Sequence, residues 1–110
     1  MDNEELEESG KYYGIYKGVV ANNKDPENLG RLQLKVPQIC GEETYEYWAF
    51  PKGIFAGNGI GAFWIPNDKD MVWVSFENGD PRYPIWEYGW WKTGDVPDGA
   101  TPEIKVLQST

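Results

Sequence analysis

YKGVVANNKDPENLGRLQLKVPQICG, residues 16–41, is the stretch whose reading decides the fold. It holds an apolar run, a cluster of turn formers, a Gly-Arg pair and an alternating segment closed by proline. In residues 23–30, Asp25 can bond forward to the backbone, Pro26 presets φ for a type I turn, and Gly30 tolerates positive φ. Beyond the turn, Leu32, Leu34 and Val36 alternate with Arg31, Gln33 and Lys35, giving a strand with one buried and one wet face. Pro37 ends that strand, because proline cannot donate to a ladder. The apolar run before the turn predicts a long first strand over about residues 12–22. Gly14 and Gly18 in it suit a strand that bends or approaches another backbone. Together these elements form a long hairpin opening a small β-barrel.

Working outward, residues 41–46 are polar and acidic and predict a loop, followed by a short apolar segment at 47–51. The glycine-rich residues 53–61 predict an irregular connection feeding a strand at 62–65. After a turn at 66–70, Val72, Val74 and Phe76 alternate with Met71, Trp73 and Ser75 as a strand. Asn78-Gly79-Asp80-Pro81 is a strong turn signal, and a last barrel strand follows over about 83–91. Five strands with one irregular middle connection predict an all-β fold, a small five-stranded Greek-key barrel of the OB type. A small open sandwich is the alternative. The implied division is an acidic tail at 1–10, a barrel at 11–92, and an exit linker with a C-terminal strand at 93–110. Ile104 and Val106 define that strand, which has nothing local to pair with and is expected to meet a neighbouring subunit or lead into a further domain.

Composition sets the outer bounds. The 110 residues support one domain, and no window repeats apolar residues at helical spacing over three turns. Five of the 18 acidic residues (Asp2, Glu4, Glu5, Glu7, Glu8) open the chain and supply most of its net charge of −8. Their density predicts a solvated, flexible tail. An acidic body without a basic cluster argues against nucleic-acid binding, which depends on neutralising phosphates. Cys40 is the single cysteine, so no internal disulfide forms. No signal peptide and no apolar run near 18 residues is present, so no stable membrane insertion is expected.

The chemistry-bearing residues are few. With no histidine and one cysteine, a nucleophilic site lacks its base. Asp68, Asp70 and Asp80 do not carry the ligand run of an EF-hand and read as turn acids. Glu77 and Glu87, flanked by aromatics, read as strand-end residues rather than a catalytic pair. Residues 57–61 lack the lysine and the following helix of a phosphate loop. The expectation is a non-enzyme with no catalytic residue, no metal and no cofactor. The aromatics carry more weight. Six tryptophans exceed what one small core needs. Trp90 and Trp91 point to opposite faces if the last strand continues through them. The candidate interface is therefore Trp86, Trp90, Trp91, Ile104 and Val106.

These residues, taken in order, resemble a known family. The set comprises Tyr16-Lys17-Gly18-Val19-Val20, Asp25-Pro26-Glu27, Leu29-Gly30-Arg31-Leu32 and Leu34-Lys35-Val36-Pro37. It continues through residues 39–41, Trp48-Ala49, Pro51, Gly59, Gly61, Ile65-Pro66, Asp70, Val72-Trp73-Val74 and Phe76-Glu77. It closes with Gly79-Asp80-Pro81, Pro84-Ile85-Trp86 and Gly89. As an ordered set it resembles the OB-fold module of phage baseplate hub and spike proteins, also found in type VI secretion and related contractile injection systems. The resemblance implies a homotrimer in the virion tail baseplate, assembled in the host cytoplasm, with a baseplate hub protein and a spike or spike-tip protein as partners. Residues 104–108 are similar to the start of the needle that follows this module in spikes, so a spike head and a stand-alone adaptor are both open. The motif residues Asp25, Pro26, Gly30, Arg31, Pro37, Gly79, Asp80 and Pro81 are expected to build the barrel rather than bind. Two other functions use the same fold: a carbohydrate-binding tail module, and a single-stranded nucleic-acid binder, which the charge disfavours.

Overall fold

The computed structural model describes residues 10–110, so the acidic tail expected at the N-terminus lies, but for Gly10, outside the described residues. Among the described residues seven strands form: β1 (Tyr16–Asn22), β2 (Gln33–Lys35), β3 (Phe50–Pro51), β4 (Ala56–Gly57), β5 (Ile60–Gly61), β6 (Met71–Phe76) and β7 (Pro84–Glu87). Five of them make one sheet in the order β2-β1-β6-β7-β3, and β4 and β5 pair separately. Further hydrogen bonds close the sheet on itself. Leu32 and Ala49 exchange backbone bonds of 2.9 and 2.8 Å, and the Tyr45 N–H donates to the Leu34 carbonyl at 2.7 Å. The chain entering β3 thus lies antiparallel to β2, while β3 itself pairs parallel with β7. The ring runs β1-β2-β3-β7-β6 and back to β1. This is the OB-type barrel expected from the hairpin.

Alternation builds the interior. Leu32, Leu34 and Val36 are all but fully buried, as are Val72 and Val74, with Phe76 little more exposed. Tyr16, Val20, Ala49 and Trp86 complete the core. Period-two patterning therefore selects the same inward face on β2, β6 and β7. A register shift between Val20 and Asn22 marks a bulge where β1 bends.

Several boundaries differ from the sequence reading. Residues 12–15 leave the ladder before β1, because the Tyr12 N–H bonds to the Gly79 carbonyl at 2.8 Å and its ring packs 5.1 Å from Phe76. Pro37 ends β2 as expected but also opens a one-turn helix, Pro37–Cys40. Residues 62–65 form no strand. The pairing falls earlier, in the β4–β5 hairpin, whose turn places Gly59 at φ 76°. β7 stops at Glu87, so Trp90 and Trp91 do not lie on a strand. The C-terminal strand is likewise absent. Thr101 and Ile104 close a tight turn through a 3.0 Å bond, and residues 105–110 have no ladder partner among the described residues.

Candidate assembly surface

The surface is organised from the β1–β2 turn. Asp25 gathers five donors on one carboxylate: the N–H groups of Glu27, Leu29 and Arg31 at 3.0–3.1 Å, and Arg31 Nε and Nη2 at 3.0 and 2.8 Å. The Asp25 side chain is only 3% exposed. The Arg31 guanidinium, aided by those backbone donors, holds its carboxyl well below the usual carboxylate range. Pro26 sets the turn, which the Asn28 N–H closes onto the Asp25 carbonyl at 3.0 Å. Arg31 then spreads over the Trp48 and Phe50 rings, at 5.3 and 5.6 Å. One turn residue therefore fixes the loop, and its arginine ties that loop to the strand that closes the barrel.

Gly30 sits between these groups at φ 74°. It is buried, and a Cβ there would meet Ile65 at 3.0 Å and Pro51 at 3.4 Å. Its carbonyl accepts the Trp86 indole N–H at 2.9 Å. This corrects the expectation for Trp86. The side chain is 8% exposed and belongs to the core, so it is not available to a partner.

The opposite end of the barrel is held by Gly79-Asp80-Pro81. Gly79 stands at φ 71°, and Asp80 accepts Arg82 Nη2 at 2.7 Å. The Arg82 guanidinium lowers the Asp80 carboxyl to about 2. The Pro81 carbonyl accepts the Tyr45 hydroxyl at 2.6 Å. These motif residues act as frame.

Among the described residues no catalytic arrangement is brought together. Asp68 accepts the Asn23 N–H and Asp70 the Asn67 N–H, each at 2.8 Å, as turn acids do. Glu87 lies at the Trp73 end of the β6–β7 ladder and pairs with Lys52 at 3.6 Å. Glu77 follows Phe76 at the other end, so the two carboxylates do not flank a common space. Among the described residues no group of three or more His, Cys, Asp or Glu could hold a metal. None of their helices is long and apolar enough to cross a membrane.

What the molecule presents instead is apolar surface. The β4–β5 hairpin and its flanks, which the sequence reading treated as a connection, form an arm bearing exposed Ile54, Phe55, Ile60 and Phe63. From Gly53 to Pro66 this stretch has no charged side chain. Beside the arm, Trp64, Tyr88, Trp91 and Leu107 line an open cleft of about 1140 Å³. Trp91 is 63% exposed. Trp90 is half-buried: it packs 6.4 Å from Trp73, lies under Lys17, and donates its indole N–H to the Val72 carbonyl at 3.2 Å. Ile104 and Val106 are exposed on the segment that follows. Charge-free composition combined with large apolar side chains was the signal that could have revealed the arm.

The barrel closure and this surface agree with the comparison of the sequence with known families. No curated protein matches the chain. The sequence model of one family matches residues 16–91, from the start of β1 through the last tryptophan. The matched segment contains the whole ring, the arm and both motif turns. The chain belongs to the type VI secretion system/phage-baseplate injector OB domain family, and is a structural component of that injection machinery.

Proposed function

We propose that the chain acts as a homotrimeric adaptor in the baseplate of a contractile tail or related injection machine, placed between the central hub and the spike. In that setting the barrel at 11–92 is the adaptor body, and residues 93–110 lead toward the spike or a neighbouring subunit. Assembly would take place in the host cytoplasm, with the hub protein and a spike or spike-tip protein as partners. One observation carries the reading: the barrel buries a core of its own, yet a large apolar surface with a charge-free arm is left uncovered. A monomer gains nothing from such a surface, whereas an assembly can bury it. The family supports the same setting, since its members are structural OB domains of injection machines rather than enzymes.

Light scattering at micromolar concentration tests the proposal, with the chain alone and with the hub protein. The expected mass is three times the 12.6 kDa of the chain. A strict monomer that binds no baseplate protein would overturn it.

A further inference from the structure

Resting on that trimer reading, we infer that the contact between copies is heterologous: the apolar arm of one copy seats in the aromatic cleft of the next. A three-fold ring needs two different patches on each subunit, because the operator that relates them is not a dyad. This molecule carries two adjoining apolar patches, a projecting hairpin tip and a cleft whose wall includes the arm's own Ile54 and Phe63. Phe55 and Ile60 project from the β4–β5 hairpin, 58% and 67% exposed, and do not line the cleft. Trp64, Tyr88 and Trp91 are 69%, 76% and 63% exposed and do line it.

Charge favours a second copy approaching by this route. Each copy carries a net −8, of which five charges lie in the acids that open the chain, so a contact between copies favours a surface that adds no further negative charge. The stretch from Gly53 to Pro66 holds no charge, so the arm adds none to the contact, and the charged side chains lining the cleft are limited to Lys52, Asp70 and Asp95. Area favours it too. Large side chains of about 150–250 Å² each, exposed by half or more, give about 1,000 Å² for one arm-in-cleft contact. That meets the lower bound for specific association, and a closed ring repeats the contact three times. The ends of the barrel sheet, β2 and β3, are already drawn together by the bridges of Leu32 with Ala49 and Lys35 with Thr44. β4 and β5 pair only with each other and keep open edges on the arm itself.

The test uses the full chain with Cys40→Ser, so that introduced thiols are the only ones. Phe55→Cys and Trp91→Cys are made singly, mixed in equal amounts, and treated with a short bismaleimide cross-linker. The mixture is expected to give a covalent pair that neither variant gives alone. The double variant is expected to give a covalent trimer on a denaturing gel. A parallel variant, Phe55→Asp, is expected to weaken trimerisation at least ten-fold while leaving the thermal unfolding midpoint of the dissociated chain unchanged. A chain that scatters as a trimer but forms no Phe55–Trp91 link overturns the arm-in-cleft contact and leaves the trimer standing. Equal linking of Phe55→Cys to itself also overturns it, because that marks an isologous contact. A monomeric parent chain overturns the trimer and this contact together.

Discussion

Trp86→Phe removes one hydrogen bond and part of one ring from the place where the barrel closes. The Gly30 carbonyl is buried and its partner is the Trp86 indole at 2.9 Å. Phenylalanine has no N–H, so that carbonyl is left without this bond, at about 1–3 kcal/mol. The smaller ring also leaves a void at a side chain only 8% exposed, adding about 1 kcal/mol after partial collapse. The combined loss is about 2–4 kcal/mol, a large share of the stability of a domain this size. It should appear as a fall of about 10–20 °C in the thermal midpoint. Urea unfolding followed by circular dichroism gives the free energy directly, and an unchanged m-value would show that the barrel still forms. Trp91→Phe, at an exposed position, should shift stability by no more than about 0.5 kcal/mol. A Trp86→Phe chain as stable as the parent would refute the placement of Trp86 as the clasp on Gly30.

Asp25→Asn should lower the unfolding midpoint well beyond the effect of Lys24→Ala, because an amide offers one acceptor where five donors converge and sets an N–H against the Arg31 guanidinium. Thermal scans of the two variants side by side decide this. In acid, both Asp25 and Asp80 have folded pKa values depressed below the unfolded value near 3.8. Their contribution is therefore fully present above that value and lost as pH falls through the folded ones, the Asp80 part at about pH 2. Midpoints measured across pH should hold level from about pH 5.5 to 7.5, there being no histidine, and drop between about pH 4 and 2. The drop should be shallower in Asp25→Asn. Gly79→Ala should cost about 1–2 kcal/mol from left-handed strain, read by urea unfolding. A Cβ there would meet the Tyr13 ring at 2.6 Å, so a smaller loss would mean that both the turn and that ring give way.

Where one residue per turn or one face per strand decided the structure, the sequence was enough to read it. Leu32, Leu34 and Val36, and then Val72, Val74 and Phe76, announce their strands by alternation alone, and Asp25-Pro26 and Gly79-Asp80-Pro81 announce their turns. Parity could also have placed Trp86: it shares a face with Pro84, and both are buried. Attention to tryptophan count rather than to position assigned it to an interface instead. The arm was missed for a physical reason. Its strands are two residues each, too short to alternate, and its glycines resemble those of a loop. The convergence of five donors on Asp25 was invisible because it depends on where Arg31 returns in space. For the C-terminal segment, the alternation of Ile104 and Val106 was real, but a strand needs a neighbour. None of the described residues supplies one.

The parallel pairing of β3 with β7 has a kinetic meaning. It joins two residues on each side across a long separation in sequence, Phe50 to Ile85 and Pro51 to Trp86. The other ladders of the ring are antiparallel. A junction so short, with so large a loop to close, forms late in folding and opens first in the native state. It is the seam of the barrel, and the arm departs from it directly after Pro51. The Lys52 N–H, bonded to the Trp86 carbonyl at 2.8 Å, should therefore exchange with deuterium sooner than the amides of β6. Anything that grips the arm holds the seam shut, so assembly should slow that exchange without touching the seam itself.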